Sequence, residues 1–221
     1  MKFNYHNESQ PQINALKGRS YYVPFSTPDI PFEREKSTQY LALSKWKFKF
    51  FEDFSDEVFD AIGVDDVLVP SNWQILGYSK PCYTNHRYPF PYTPGKVFGK
   101  NSVGVYTTKV KLDKSKANYI NFEGVDSAFY VFINSKFVGY SAIPHNIAEF
   151  DLSPYALDGE NELKVVVLEK NFASYLDDQD KFRLSGIFRE VYILSRPLDH
   201  IFDYKIKATA NGKLTISLDK N

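Results

Sequence analysis

The 221-residue chain has little of three features that often point to a function: cysteine, net charge and long apolar runs. Cys82 is the only cysteine, so an internal disulfide is impossible and a cysteine-based metal site is disfavoured. Basic and acidic side chains number 27 each, so no net field attracts the chain to nucleic acid or to a membrane surface. No stretch of about 18 apolar residues occurs, and the polar N-terminus has no signal-peptide core. These absences predict a cytoplasmic protein with neither nucleic-acid nor membrane partners.

The usual catalytic motifs are also absent. The sequence has no glycine-rich phosphate loop, no His-Glu-x-x-His and no Gly-x-Ser-x-Gly, which argues against nucleotide-binding proteins, zinc proteases and serine hydrolases. The four histidines, His6, His86, His145 and His200, are scattered through polar or loop contexts. Such positions are typical of surface histidines rather than of metal ligands or catalytic bases.

Aromatic residues, by contrast, make up 17 % of the chain, and they favour the half-buried surfaces of β-sheets. Residues 45–51, KWKFKFF, alternate cation and aromatic, which predicts a strand with Trp46, Phe48 and Phe50 on one face. Further short strands are predicted at 105–112, 119–122, 128–134, 136–140, 148–152, 162–169 and 187–194. At most one short helix fits, near 56–61. Close-spaced strands without recurrent amphipathic helices predict an all-β fold, a β-sandwich or jelly roll.

The positions of proline, polar and turn residues along the chain predict three parts. Residues 1–38 are polar and proline-rich, which predicts an extended arm lying on another surface. Residues 39–197 form the predicted sandwich, interrupted by a long proline-rich loop over 69–101 of the kind that is often functional. Residues 198–221 predict a hairpin with a type I′ turn at Asn211-Gly212. A lone hairpin is marginal in water, so we expect it to begin a second β domain that continues outside this chain.

Two polar clusters are candidate sites. In the first, VPSNWQ at 69–74 and PCYTN at 81–85 place amides among aromatics, which suits sugar hydroxyls and an apolar sugar face. In a generic sequence, such amides more often satisfy backbone groups of the loop. In the second, SYLDDQD at 174–180 is followed by Arg183, and its crowded carboxylates need a cation, an arginine or open water. A cation or hydroxyl site and a solvated acidic turn both fit this pattern.

Several motifs in one register resemble the N-terminal sugar-binding domain of glycoside hydrolase family 2 β-galactosidases. They are VPSNWQ at 69–74, YTN at 83–85, GVDSAF at 124–129, EFDLS at 149–153 and DQDKFRLSGIFR at 178–189. The resemblance implies a galactose-binding-domain-like jelly roll, followed by the truncated start of an immunoglobulin-like domain at 198–221. It also implies a full-length retaining enzyme for terminal β-galactosides such as lactose, with its two glutamates on a barrel absent from this chain. On this basis the chain contains no catalytic residue and is expected to be inactive alone.

The resemblance also implies the site residues. Asn85 would hydrogen-bond galactosyl hydroxyls, and Asp180 would contact galactose and help to ligate Na⁺ together with barrel residues. Mg²⁺ would be bound by the full-length enzyme but not by this part. Phe182 stands where some relatives have tryptophan, and 185–189 is interpreted as structural, with a buried Ile187-Phe188 pair and an anchoring Arg189. The expected partners are a galactoside, the remaining chain or a second subunit, and further copies in an oligomer.

Three alternatives stay open. The chain could be a free-standing carbohydrate-binding module, although the hairpin at its end argues against this. It could be mainly an oligomer-interface domain, with the arm at 1–38 bridging subunits. The full-length enzyme could also be a β-glucuronidase or β-mannosidase of the same architecture, but the NWQ and YTN motifs fit β-galactosidase better.

Overall fold

The fold is described from a computed structural model, which covers residues 10–27, 33–84, 91, 96–97, 99–176 and 180–220. The side chain of Thr84 is not described. The strands are β1 Gln12–Ile13, β2 Tyr40–Ala42, β3 Lys45–Phe51, β4 Asp65–Leu68, β5 Cys82–Thr84, β6 Val103–Leu112, β7 Ala117–Phe122, β8 Val125–Asp126, β9 Ala128–Ile133, β10 Lys136–Ser141, β11 Ala148–Asp151, β12 Gly159–Leu168, β13 Lys181–Arg183, β14 Gly186–Ile187, β15 Val191–Arg196, β16 Ile201–Ala208 and β17 Leu214–Lys220. Two 3₁₀ turns, at Arg34–Lys36 and Asp56–Phe59, are the helical segments of the described ranges.

Two antiparallel sheets form the body of the protein. The larger has seven strands in the order β1-β10-β9-β12-β6-β3-β4, and the smaller has four in the order β11-β7-β15-β2. Several paired strands are distant in sequence, such as β12 with β6 and β7 with β15. The connections between such strands cross from one sheet to the other, as in a jelly roll. The predicted all-β jelly-roll sandwich is therefore confirmed.

The main core lies between the two sheets and uses the residues that the alternation in β3 predicts. Trp46 and Phe48 are 2 % and 0 % exposed, and Phe50 packs against the same cluster. Strand β9 has no such alternation because it is buried on both faces. Its second face contacts a smaller apolar cluster that includes Val58, on the Asp56–Phe59 turn. The single short helix predicted near 56–61 is thus a 3₁₀ turn that covers the outer face of the larger sheet.

The described part of the N-terminal arm lies on the chain's own sandwich. Gln12 and Ile13 pair with Ser141 and Tyr140, so β1 extends the edge of the larger sheet. Further along, the backbone N–H of Leu16 donates to the carbonyl of Glu149 at 2.8 Å. The extended arm over 1–38, its role as a bridge between subunits and the boundaries at 38 and 197 stay predictions.

The C-terminal hairpin consists of β16 and β17, which pair only with each other within the described ranges. The predicted type I′ turn is wrong. Gly212 has φ +83°, but Asn211 does not have the positive φ that type I′ requires at both central positions. Instead, the N–H of Thr209 donates to Lys213 O at 3.0 Å, which closes a three-residue loop with glycine in the left-handed position. Within the described ranges, none of the helical segments is long and apolar enough to cross a membrane.

Candidate functional site

The two polar clusters predicted from the sequence meet through a short ladder. Strand β5, within the long loop, pairs with β13, which directly follows the acidic run. In this register Thr84 lies opposite Lys181 and Tyr83 lies opposite Phe182. Asp180 therefore lies at the end of the ladder where the chain leaves Thr84 toward Asn85. Asn85 itself falls outside the described residues, as do Asp177 and Asp178.

Asp180 is exposed and is held by one aromatic neighbour. The hydroxyl of Tyr83 donates to Oδ1 of Asp180 at 2.5 Å. The rings of Tyr83 and Phe182 lie 5.4 Å apart at 55°, and these side chains are 53 % and 60 % exposed. Exposed apolar rings beside a carboxylate suit a sugar, because the ring can cover a C–H face while the carboxylate accepts from hydroxyls.

Basic groups surround this ladder. The ammonium of Lys181 lies 3.1 Å from Nε2 of His145, and Arg183 donates to the carbonyl of Ser174 at 3.4 Å. Tyr175, which is 6 % exposed, donates to the carbonyl of Pro91 at 2.7 Å and so ties the end of the long loop to the start of the acidic run. These contacts join the long loop to the start of the acidic run, and β13 to the connection between β10 and β11.

The donor set fits a shared metal site better than a complete one. Across the described ranges, there is no group of three or more histidine, cysteine or acidic side chains able to hold a metal ion. Asp180 would supply one carboxylate oxygen, a ligand type that hard cations accept, and the other ligands would have to come from elsewhere. Na⁺ binding by Asp180 together with another part of the protein stays a prediction.

The amides of the 69–74 motif serve the backbone rather than the open surface. Gln74 is 6 % exposed, and its Oε1 accepts from the backbone N–H of Ser185 at 2.8 Å. The N–H of Trp73 donates to Ser185 O at 3.1 Å, and that of Ser71 donates to Ile187 O at 2.8 Å. The motif thus forms hydrogen bonds along residues 185–187, which follow β13 in the sequence. Of the two interpretations of these amides, the structure supports the backbone-satisfying one at Gln74.

Trp73 of the same motif is a core residue. Its ring is 0 % exposed and stacks near Phe48, with the centroids 6.4 Å apart at 27°. The 185–189 segment is structural in part: Ile187 is fully buried, but Phe188 is only half-buried and Arg189 is exposed. The predicted buried pair is therefore wrong at Phe188, whose ring instead lies 5.6 Å from that of His145.

Comparisons with known proteins were made with the whole chain. The family model described as "Glycosyl hydrolases family 2, sugar binding domain" matches residues 42–197. A β-galactosidase of Staphylococcus xylosus is 39 % identical over 224 residues, covering 97 % of this chain and 22 % of the relative. One of Actinobacillus pleuropneumoniae is 41 % identical over 209 residues, covering 91 % of this chain and 21 % of the relative. The chain thus spans about a fifth of the length of these curated relatives.

Solved structures give the same fold at lower identity. A β-glucuronidase from an uncultured Clostridium species matches with a TM-score of 0.61 and 20 % identity, over 83 % of this chain and 34 % of the other. A β-glycosidase from Bacteroides vulgatus matches with a TM-score of 0.57 and 21 % identity, over 82 % of this chain and 24 % of the other. At this identity the matches establish the sandwich fold alone.

Proposed function

Because this chain belongs to glycoside hydrolase family 2 through its sugar-binding domain, we propose that it is the N-terminal, non-catalytic portion of a retaining β-galactosidase. The full-length protein would hydrolyse terminal β-galactosides such as lactose. Retaining hydrolysis uses two carboxyl groups about 5–5.5 Å apart, one as nucleophile and one as acid and base. In this proposal both lie in the remaining chain, since the curated relatives are about five times longer.

The role proposed for this chain is to complete the galactosyl pocket. Asn85 would donate to and accept from sugar hydroxyls through its amide, and Asp180 would accept from a hydroxyl. Asp180 would also provide one ligand for Na⁺, shared with the catalytic part of the protein. When bound, that cation would offset the carboxylate charge and offer a position for a sugar oxygen. Mg²⁺ would be held entirely by the remaining chain.

The observation that carries the proposal is the β5–β13 ladder. It pairs Thr84 with Lys181, the residue that follows Asp180, and the Tyr83 hydroxyl donates to the Asp180 carboxylate. Two segments 97 residues apart thereby present one carboxylate and two exposed rings on one surface. A purely solvated acidic turn would not need this aromatic support.

The choice of galactoside over glucuronide rests on the closer similarity. The β-galactosidases are about 40 % identical to this chain, whereas the β-glucuronidase structure is 20 % identical. This similarity is the ground for proposing a galactoside rather than a glucuronide.

The test is Asp180→Asn in the full-length protein, with turnover of a β-galactoside followed across a sodium titration. We expect kcat/KM to fall by at least about tenfold, since a hydrogen bond to a charged group contributes about 1.5–3 kcal/mol, and the dependence on Na⁺ to flatten. Asp158→Asn is the matched control, because it removes the same charge from an exposed turn outside the site. Unchanged kinetics in Asp180→Asn across the sodium series would refute the assignment.

A second titration separates this proposal from a free-standing binding module. Lactose is titrated into the 221-residue chain by calorimetry and NMR. Because the site is incomplete without the catalytic part, we expect affinity weaker than millimolar and no hydrolysis. A micromolar affinity of the isolated chain would favour the binding module instead.

A further inference from the structure

A pocket that does not include Asp180 lies between the N-terminal arm and the smaller sheet. It is lined by arm residues 16–22 and by side chains of β11, β7 and β15. Its volume of about 70 Å³ is several times the roughly 10–15 Å³ that one water molecule needs. The pocket therefore has room for a small polyatomic ligand.

The lining carries an excess of positive charge. Three cations, Lys17, Arg19 and Arg196, and one carboxylate, Glu149, contribute to it. Glu149 already forms an ion pair with Arg19, which donates two hydrogen bonds of 2.6 and 2.5 Å to its carboxylate. Both side chains are 8 % exposed. Burial opposes the charge of Arg19, but the hydrogen bonds and charge of Glu149 raise its pKa above the ordinary value. The charges of Arg19 and Glu149 therefore neutralise each other, which leaves the charges of Lys17 and Arg196.

Arg196 is a buried cation that forms no direct ion pair among the described residues, although the carboxylate of Glu149 acts on it from a greater distance. It is 1 % exposed, and its two terminal nitrogens donate to the backbone carbonyls of Tyr22 and Ile201, at 2.9 and 3.2 Å. Its Nε is buried and has no hydrogen-bond partner within the described part of the chain. The Tyr22 ring, 4.2 Å away, faces the guanidinium but cannot neutralise it.

Electrostatics at Arg196 favour an anion. Burial lowers the pKa of Arg196, and the positive charge of Arg19 acts in the same direction, whereas Tyr22 and the carboxylate of Glu149 offset only part of this effect. A buried guanidinium with one unsatisfied N–H is destabilising, and a charge-assisted hydrogen bond to an anion would offset that cost. An oxyanion is suited to a guanidinium, since several acceptor oxygens can face the same planar group.

We propose that this pocket is a binding site for a small oxyanion, held by the guanidinium of Arg196 beneath the arm. A phosphate or a carboxylate group presents the required chemistry. Because Arg196 already contacts Tyr22 of the arm and Ile201 of the hairpin, the bound anion would strengthen the junction of three segments. The site is independent of the proposed sugar site, with which it shares no lining residue among those described.

The test uses the 221-residue chain, with inorganic phosphate and acetate as separate probes against sodium chloride at matched ionic strength. Amide shifts in NMR spectra map the binding, and thermal unfolding reports its effect on stability. We expect saturable shifts confined to residues 16–22, 147–149 and 194–202, with a rise in Tm that chloride does not reproduce. Saturation by phosphate alone assigns the site to free phosphate, whereas saturation by acetate assigns it to a carboxylate group; either supports the proposal.

Arg196→Gln is the decisive variant and Lys116→Gln the control, because Lys116 lies in an exposed turn. Loss of the charge-assisted hydrogen bond should weaken anion binding at least about tenfold in Arg196→Gln and leave the control unchanged. Arg196→Lys retains the charge without the planar group and should fall between the two. Absence of saturable shifts in the unmodified chain, or shifts located elsewhere, would overturn the proposal even if Arg196→Gln fails to fold.

Discussion

Gln74 offers the sharpest test of how the 69–74 motif works. Its Oε1 accepts from the N–H of Ser185, and the two residues are 6 % and 3 % exposed, so water cannot replace the bond. In Gln74→Leu the apolar part of the side chain is kept while the buried N–H loses its acceptor. Leaving such a donor unsatisfied costs about 1–3 kcal/mol. We therefore expect the free energy of unfolding to fall by about 2 kcal/mol.

Asn72→Leu is the matched control for this change. The Nδ2 of Asn72 donates to Ser185 O at a long 3.4 Å, and that carbonyl also accepts from the N–H of Trp73. Removing the Asn72 amide therefore leaves the carbonyl satisfied. The expected loss is below about 1 kcal/mol, the usual net contribution of a hydrogen bond whose partner is not left bare.

Urea unfolding followed by tryptophan fluorescence is the assay. The chain has two tryptophans, and both Trp46 and Trp73 are buried in the core, so their emission reports loss of the sandwich. Equal urea midpoints for Gln74→Leu and Asn72→Leu would refute the reasoning. So would unaltered stability of Gln74→Leu together with a higher KM for galactosides in the full-length protein, because that result would make Gln74 a sugar ligand.

Two further predictions concern packing and pH. A Cβ on Gly104 would lie 2.7 Å from the Phe48 ring and 2.9 Å from that of Trp73, so Gly104→Ala should destabilise the chain by about 1–3 kcal/mol in urea. Gly18→Ala, where a Cβ meets open space, is its control, and equal stabilities would contradict the packing argument. Burial raises the pKa of Tyr106 above its ordinary value near 10. Above pH 10 the unfolded chain therefore loses this proton while the folded chain keeps it, so the free energy of unfolding falls as the pH rises. Above pH 10, the free energy of unfolding should therefore fall less steeply with pH in Tyr106→Phe, by up to about 1.4 kcal/mol per pH unit. An equal slope in the two proteins would show that Tyr106 does not cause it.

The candidate site could be predicted only in outline. The resemblance of YTN at 83–85 and DQD at 178–180 to one family associated the two segments, and the ladder between β5 and β13 is the described contact between them. Neither strand was predicted, because three residues within a proline-rich or acidic run have too little alternation to indicate a strand. The hydrogen bond from Tyr83 to Asp180 likewise depends on the register between β5 and β13, which is set by strand pairing and not by the local sequence pattern.

The sequence by itself determined the fold class and the core of β3, because period-2 alternation in residues 45–51 is a local property that survives any arrangement of neighbours. Tertiary structure decided the rest. Only the approach of 69–74 to Ser185 makes Gln74 a buried acceptor, and only the return of the arm beside β15 buries Arg196 with an unsatisfied Nε in the described part of the chain. Both depend on burial and partners contributed by segments more than 100 residues away, about which a local sequence pattern contains no information.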